Sequence, residues 1–317
     1  MWATAAVAGP LLGGTLTDAA SWRWIFLINL PLGIVALVVV VKTMRVPHVP
    51  REHSIDYAGA VALTIGVTAV LLASAWGGSS YAWDSPEVIA AAVIGVVGLA
   101  AFAVIERRVT EPLLPLDLFK GRTFSVSTTA ALLIGGVLFG ITIYVPVYVQ
   151  RVLDASATSS GVVLIPLSFG WVLASFASGQ YISRTGRYKV FPIVGSLLVL
   201  AGCILLALLG ADSSRVVVTL DLTVVGLGMG TMFQTFVIAT QNRVDMSEIG
   251  VATAAIQFFR SMGGSLAVAA LGALLTARLA GGLDEATHAV FVAIVPLAAL
   301  IVVVSFLLPE HELRTSH

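Results

Sequence analysis

Long apolar runs, separated by short polar segments, dominate the pattern of this chain; the run from Ile193 to Leu209 is one example. A helix needs about 20 apolar residues to cross a hydrocarbon core of ~30 Å, whereas barrel strands alternate apolar and polar residues. We therefore predict an all-α fold, a polytopic bundle of transmembrane helices. The predicted spans are 1–17, 24–41, 56–76, 87–105, 124–149, 158–182, 190–210, 216–240, 249–276 and 287–308.

Composition supports a chain surrounded by a lipid bilayer. Hydrophobic residues make up 58% of it, charged residues only 11%, and the mean hydropathy is +1.00. A soluble domain carries about 25% charged residues, because its surface faces water. The 17 basic and 17 acidic residues cancel, which gives no indication of nucleic-acid binding. The single cysteine, Cys203, can form neither an internal disulfide framework nor a thiol metal site.

Basic residues in the predicted loops indicate the orientation of the chain. Cytoplasmic loops carry an excess of Lys and Arg. Four basic residues fall on one predicted side: Arg23, Arg151, Arg215 and Arg278. Twelve fall on the other: Lys42, Arg45, Arg51, Arg107, Arg108, Lys120, Arg122, Arg184, Arg187, Lys189, Arg243 and Arg314. This bias predicts a multi-pass protein of the plasma (inner) membrane with both ends in the cytoplasm.

Two polar seams divide the predicted helices into groups. They run from Lys42 to Ile55 and from Glu106 to Thr123, and both contain prolines and charges. We predict three parts: the last two helices of an amino-terminal bundle in 1–45, two linker helices in 46–122, and a six-helix bundle with a short tail in 123–317. Gly9 and Gly13 are four residues apart, as are Gly226 and Gly230, and this spacing predicts a close contact between helix backbones at both pairs.

Two motifs near the start of the chain resemble a known family. The first is Gly9-Pro10-Leu11-Leu12-Gly13-Gly14, and the second runs from Ser21 to Gly33 as SWRWIFLINLPLG. Together they resemble the major facilitator superfamily, specifically its fourteen-span drug:proton antiporter family of the EmrB/QacA type. In that family the first motif, here Gly9, Pro10, Gly13 and Gly14, is the antiporter signature. A generic kinked helix would explain the first motif alone equally well.

The resemblance covers the whole chain and implies its architecture. Ten of an expected fourteen spans would be present, because the four amino-terminal helices have no counterpart here. Helices 56–76 and 87–105 would be the two extra spans of this family. Since Met1 leads straight into an apolar run, we expect the chain to begin inside a membrane helix, with upstream sequence missing.

A basic segment between two predicted spans resembles the superfamily's cytoplasmic gating loop. Its candidate residues are Gly179, Arg184, Gly186, Arg187 and Lys189. Ser183 stands where that loop typically has Asp, which weakens a charge-relay role. A basic loop that only sets the membrane topology remains the alternative.

Arg260 is the most unusual residue, because it falls near the middle of a predicted span. A central Arg costs about 2.5–3.5 kcal/mol on insertion scales, so it should face protein or a water-filled cavity. Thr253, Gln257, Arg260 and Gly264 follow one another in steps of four, three and four and form one stripe of a helix. We predict that this stripe faces a central substrate cavity. Structural pairing of Arg260 with a neighbouring helix is the alternative.

Other polar and aromatic residues are weaker candidates for lining the cavity. Flat rings hold cationic and aromatic ligands with little geometric demand, and the resemblance implies that the helices carrying these residues face the cavity. The candidates are Thr231, Gln234, Tyr144, Tyr148 and Trp171. For the two tyrosines, a place in an interfacial aromatic belt is an equal alternative.

Acidic residues that could carry a proton are scarce in the predicted spans. Asp18 and Asp221 are weak candidates for proton coupling, and solvation at helix ends would explain both. The resemblance implies that the main coupling acid lies in the helices without a counterpart here.

We therefore predict a transporter, not an enzyme, that exports drugs or other small amphipathic compounds by proton antiport. Its partners would be the bilayer, the substrate and protons, and we expect a monomer without metal or cofactor. An exporter of an endogenous metabolite and an inactive truncated transporter are alternatives. A membrane-embedded enzyme is disfavoured, because the sequence shows no cluster of nucleophiles, acids or metal ligands and its five histidines fall in loops or at helix edges.

Overall fold

The computed structural model describes residues 9, 12–17, 19, 21–43, 56–109, 111–210 and 212–310. Within these residues, nine helices are long and apolar enough to cross a membrane, which confirms the all-α prediction. The first predicted span, 1–17, lies mostly outside the described residues. The nine helices are α1 Asn29–Thr43 (extended at its start by the turn Trp24–Leu27), α2 Tyr57–Trp76, α3 Pro86–Glu106, α4 Arg122–Arg151, α5 Ala157–Thr185, α6 Val190–Ala207, α7 Arg215–Gln241, α8 Ile249–Arg278 and α9 Leu283–Leu307.

Side-chain caps explain where several helices begin. The Asp56 carboxylate accepts a hydrogen bond from the Gly59 N–H at 2.8 Å, which starts α2. Serine hydroxyls do the same at the start of three further helices: Ser85 for α3, Ser156 for α5 and Ser214 for α7. Such caps satisfy backbone donors that would otherwise lack a partner. Polar residues of the connections therefore define the helix starts.

Helices α4 to α9 form one six-helix bundle around a continuous apolar core. Helix α4 packs against α8, α9, α7 and α5. Helix α5 packs on α7, and α6 packs on α7 and α9. The core includes Phe236 of α7 and Phe291 of α9, both almost fully buried.

Small residues bring α5 and α7 close together. A Cβ atom added at Gly226 would collide with the backbone of Leu167, and one added at Gly230 would collide with the backbone of Trp171. The close helix contact predicted for this pair of glycines is confirmed. In lipid, where apolar side chains gain little by leaving the solvent, such backbone approach is a main source of helix association.

Helices α2 and α3 form a separate antiparallel hairpin. They pack on each other, and α2 also contacts α8 of the bundle. At the base of the hairpin, the buried Glu106 accepts a hydrogen bond from the Leu114 N–H at 3.2 Å. This bond joins the end of α3 to the segment that leads into α4. By contrast, no residue of α1 is buried.

Candidate substrate-facing site

Arg260 lies in the middle third of α8, and its side chain reaches across to α7. Its guanidinium carbon sits 4.9 Å from the centre of the Phe233 ring, a cation–π distance. Phe233 in turn packs edge to face on Trp171 of α5, with ring centres 6.0 Å apart. Three helices thus meet in an Arg260–Phe233–Trp171 stack. The sequence predicted Arg260 and Trp171 but missed Phe233, because a phenylalanine in an apolar span carries no distinctive signal.

Close packing of α8 on α4 fixes the position of Arg260. A Cβ atom at Gly135 of α4 would collide with the Arg260 carbonyl group, and one at Gly263 of α8 would collide with the carbonyl group of Leu132. Only glycine allows the two backbones to come so close. The backbone of α8 is therefore held against α4, while the Arg260 side chain extends to α7.

The guanidinium group of Arg260 has an unusual environment for a charge in a membrane span. Its Nε atom is buried and has no hydrogen-bond partner. Neither ion pair found in the described part of the chain involves Arg260; they are Lys120–Asp117 and Arg278–Glu285. The side chain is half-buried, so part of the group remains accessible. Its partner among the described residues is the Phe233 ring.

Two exposed amides lie close in sequence to this stack. Gln257 is exposed on α8, one turn before Arg260, and Gln234 is exposed on α7, next to Phe233. Gln234 also lines an open groove of about 530 Å³ between α5 and α7. The other residues that line this groove are Val172, Ser175, Phe176, Gly179, Gln180, Ser183 and Ile238. The groove extends from the membrane interior to the predicted gating loop.

Thr253 links α7 to α8. Its hydroxyl accepts a hydrogen bond from Gln241 Nε2 at 3.0 Å and donates one to the Ile249 carbonyl at 2.7 Å. The Thr253 hydroxyl, at the first position of the stripe predicted from sequence, is therefore engaged within the protein.

Thr231 lies on the side of α7 that faces α6. A Cβ atom added at Gly195 of α6 would collide with the Thr231 hydroxyl, which donates to the Gly228 carbonyl at 2.9 Å. The structure therefore does not bring Thr231 to the Arg260–Phe233–Trp171 stack.

Both candidate tyrosines are buried inside the six-helix bundle. The Tyr144 hydroxyl donates to the Val268 carbonyl of α8 at 2.8 Å, and the Tyr148 hydroxyl donates to the Gly210 carbonyl at 2.6 Å. Tyr148 also packs edge to face on Phe291. These bonds fasten α4 to α8 and to the α6–α7 connection. Neither tyrosine hydroxyl therefore lies at the Arg260–Phe233–Trp171 stack, and neither ring belongs to an exposed aromatic belt.

Asp221 is buried instead of being solvated at a helix end, and its Oδ2 atom has no hydrogen-bond partner. Its backbone lies against Gly202 of α6, so it sits at the α6–α7 contact. The other acidic candidate, Asp18, lies outside the described residues.

In the predicted gating loop, α5 is capped at its end by Gly186, which adopts the left-handed backbone conformation. Gly186 has a φ angle of 70°, which favours glycine, and its N–H donates to the preceding turn of α5. Arg184 and Arg187 are exposed, and Lys189 is half-buried. Gly179, one of the groove residues, has open space around its Cα atom.

Tyr188 in the same loop was not among the predicted site residues. It is fully buried, and its hydroxyl donates to the Pro309 carbonyl, just after α9, at 3.1 Å. The loop is thereby attached to the end of the bundle. Its position, just after exposed Arg187 in a basic loop, gave no signal of burial.

The described part of the antiporter signature touches the start of α5. A Cβ atom at Gly14 would lie 2.8 Å from the Thr158 Cα atom, so only a small residue fits there. Gly9 and Gly13 have nothing within 4 Å of an added Cβ atom, so the close helix contact predicted from their spacing is not found among the described residues. Pro10 lies outside those residues.

The profile of the Major Facilitator Superfamily matches residues 1–268. The chain belongs to this superfamily. It is 34% identical over 278 residues to the multidrug transporter protein MdtP of Bacillus subtilis, covering 88% of this chain and 51% of that protein. It is 30% identical over 280 residues to multidrug resistance protein 3 of the same organism, covering 88% of this chain and 54% of that protein.

A fungal relative is named for a biosynthesis cluster and not for multidrug transport or resistance. The chain is 34% identical over 269 residues to the acurin A biosynthesis cluster MFS-type transporter of Aspergillus aculeatus, covering 83% of this chain and 49% of that protein. The chain thus spans about half the length of these curated relatives. The chain thus belongs to a superfamily in which these relatives are named as transporters or as a resistance protein.

Proposed function

We propose that this superfamily member exports drugs or other small amphipathic compounds in exchange for protons. The observation that carries the proposal is the Arg260–Phe233–Trp171 stack, a charge and two rings from three helices within the membrane span. A charge is retained there only where it faces protein or an aqueous cavity. The names of two bacterial relatives, a multidrug transporter and a multidrug resistance protein, agree with export.

Export would use alternating access. The six-helix bundle α4–α9 has one continuous core and can move as a unit against a second bundle, opening a mid-membrane site to each side in turn. We include two further points in this proposal. The chain has the three-part domain division predicted from sequence, and it belongs to the fourteen-span antiporter family. The exposed Gln234 and Gln257 would then meet substrate together with Arg260.

Proton coupling is proposed from the family resemblance. Among the described residues, Asp221 is the buried acid of the bundle and a secondary candidate. Asp18, outside the described residues, is the other candidate from the sequence. Asp221 lies at the α6–α7 contact, away from the stack. If it takes up a proton during transport, it would act by changing how α6 and α7 pack.

Transport by everted membrane vesicles tests the function. The complete reading frame would be expressed, and efflux of anionic and neutral dyes followed with and without an imposed proton gradient. We expect gradient-dependent transport that an uncoupler abolishes. The Arg260→Ala substitution should reduce it, whereas Arg278→Ala, at an exposed arginine, should not. Transport that requires ATP and survives the uncoupler would refute the proposal.

Expression of residues 1–317 alone, beside the complete reading frame, separates an active transporter from an inactive fragment. We expect transport only when two bundles can enclose the site. Transport by residues 1–317 alone would show that this chain is active without further sequence, for example because a second copy supplies the second bundle.

The proposed orientation places the Arg187 loop in the cytoplasm and Arg151 outside the cell. The chain has a single, buried cysteine, so new cysteines can be labelled with little background. In intact cells, an impermeant maleimide should label Arg151→Cys but not Arg187→Cys; both positions are exposed in the structure. Equal labelling of the two variants would contradict the topology.

Export of an endogenous product is a second candidate. It is favoured by the fungal relative, whose name assigns it to the acurin A biosynthesis cluster. Deletion of the gene should then raise the intracellular concentration of one metabolite and lower its concentration in the medium. Unchanged metabolite profiles, with increased sensitivity to added dyes, would favour drug export instead.

A further inference from the structure

Arg260 carries a charge that nothing in the described part of the chain neutralises. The two ion pairs there, Lys120–Asp117 and Arg278–Glu285, involve exposed side chains at helix ends. The buried acid of the bundle, Asp221, lies at the α6–α7 contact. The face of α8 that holds Arg260 therefore has an uncompensated positive charge.

We infer that Arg260 selects substrates that carry an acidic group on a flat apolar body, such as aromatic carboxylates. The inference rests on the proposed export function and adds the substrate class to it. A free organic acid, not a lipid headgroup, is the proposed ligand, because the half-buried Phe233 ring offers a surface for a flat molecule.

The contact with Phe233 leaves the guanidinium group able to bind an anion. The Phe233 ring lies 4.9 Å from the guanidinium carbon. A phenyl ring has no oxygen or nitrogen acceptor, so it forms no conventional hydrogen bond with the five N–H donors of arginine, which lie in the guanidinium plane. In-plane donors match the two oxygens of a carboxylate, which they bind as a pair. Nε is buried without a hydrogen-bond partner, but the side chain as a whole is only half-buried, so the accessible donors are those of the two terminal nitrogens.

The surroundings of the stack suit the rest of such a molecule. The half-buried Phe233 offers a ring surface beside Arg260, and the buried Trp171 supports it from α5, with ring centres 6.0 Å apart. The exposed amides of Gln234 and Gln257 can bind polar substituents without changing the net charge. An organic cation would gain the same ring contacts but would be repelled by Arg260, so the charge discriminates against it.

Binding of three related compounds to the purified protein from the complete reading frame tests the inference. The probes are naphthalene-1-carboxylate, its methyl ester and 1-naphthylmethylammonium, followed by calorimetry in detergent. The wild-type protein should bind the carboxylate tightest. Arg260→Gln should weaken carboxylate binding by about 10-fold or more, which is the usual weight of a charged hydrogen-bonded contact. Binding of the ester, which also reports correct folding, should stay within about twofold.

The matched control is Arg278→Gln, which removes an exposed arginine and should change none of the three affinities. An equal loss of acid and ester binding in Arg260→Gln, or no loss of either, would overturn the inference. If Arg260→Gln does not fold, the wild-type affinities decide. Tighter binding of the acid than of the ammonium compound supports the inference, and equal or reversed affinities overturn it.

These measurements need no proton gradient, so they are independent of the export assay. Arg260-dependent acid binding without gradient-driven efflux would leave the inference standing and refute the proposed function. Gradient-driven efflux with no preference for acids would do the reverse.

Discussion

Helices α1 and α4 are both strongly apolar spans, yet their packing differs completely. No residue of α1 is buried, whereas more than half of the residues of α4 are, including Ile134, Val137 and Ile141. Lipid tails are as apolar as leucine, so a high apolar content places a helix in the membrane without choosing between lipid and protein. The difference shows that apolar character and packing are separate properties of these helices.

Small residues mark the packed helix. In α4, the collision that a Cβ at Gly135 would cause with Arg260 shows a backbone contact with α8. In α1, Gly33 has nothing within 4 Å of an added Cβ. A glycine therefore indicates packing only where a neighbouring backbone is present.

The largest expected effect comes from filling the α4–α8 contact. Gly263→Val would drive a side chain into the Leu132 carbonyl group and should cost at least about 1–3 kcal/mol, seen as a clear fall in Tm in detergent. The matched control, Gly33→Val in α1, should leave Tm unchanged in residues 1–317. An equal fall at Gly33 would show that α1 has a packing partner outside the described residues and would remove the contrast.

A smaller effect is expected at the base of the α2–α3 hairpin. Glu106→Ala leaves the Leu114 N–H without its acceptor, at a cost of about 1–3 kcal/mol, whereas Glu106→Gln keeps an acceptor oxygen. Limited proteolysis should therefore cut the segment around 111–115 faster in the alanine variant alone. If both variants were cut faster than the wild type by the same factor, the carboxylate charge, and not the hydrogen bond, would hold the segment.

Smaller still should be the effect of removing one hydroxyl from α4. Tyr148→Phe loses the 2.6 Å bond to the Gly210 carbonyl, and such bonds within membranes contribute about 0.6 kcal/mol on average. Tyr57→Phe, at an exposed residue of α2, is the control. A slightly lower Tm for the first variant only is expected. Identical Tm values would mean that water replaces the tyrosine at Gly210.

The smallest effect is expected in the exposed segment before α4. The Lys120 ammonium group, 2.6 Å from the Asp117 carboxylate, lowers the pKa of that carboxyl by hydrogen bonding and by its charge. Since the folded pKa is below the unfolded one, the pair stabilises the fold above the unfolded pKa, and this contribution disappears as pH falls through the folded pKa.

Lys120→Gln should therefore raise the pKa of Asp117, as measured by carboxyl carbon NMR. Stability above that range should hardly change, because both side chains are exposed. An unchanged pKa would show that the pair does not form in solution.

Helix number and bounds could be predicted well in the described part of the chain. The predicted span 56–76 is Tyr57–Trp76, and 249–276 is Ile249–Arg278. Bilayer thickness sets a minimum apolar length, and polar caps mark the ends, so both signals are local. Side-chain direction was harder to predict, because it depends on which neighbour each helix face meets.

By itself, the amino-acid sequence determined the membrane class, the positions of the spans, the superfamily resemblance and the unusual character of Arg260. Only the tertiary structure decided that Phe233 underlies Arg260, that Thr231 faces α6 and that Tyr144 and Tyr148 are buried. Apolar length and insertion cost are properties of a segment, whereas a side chain's partner depends on which helices the chain brings together in lipid.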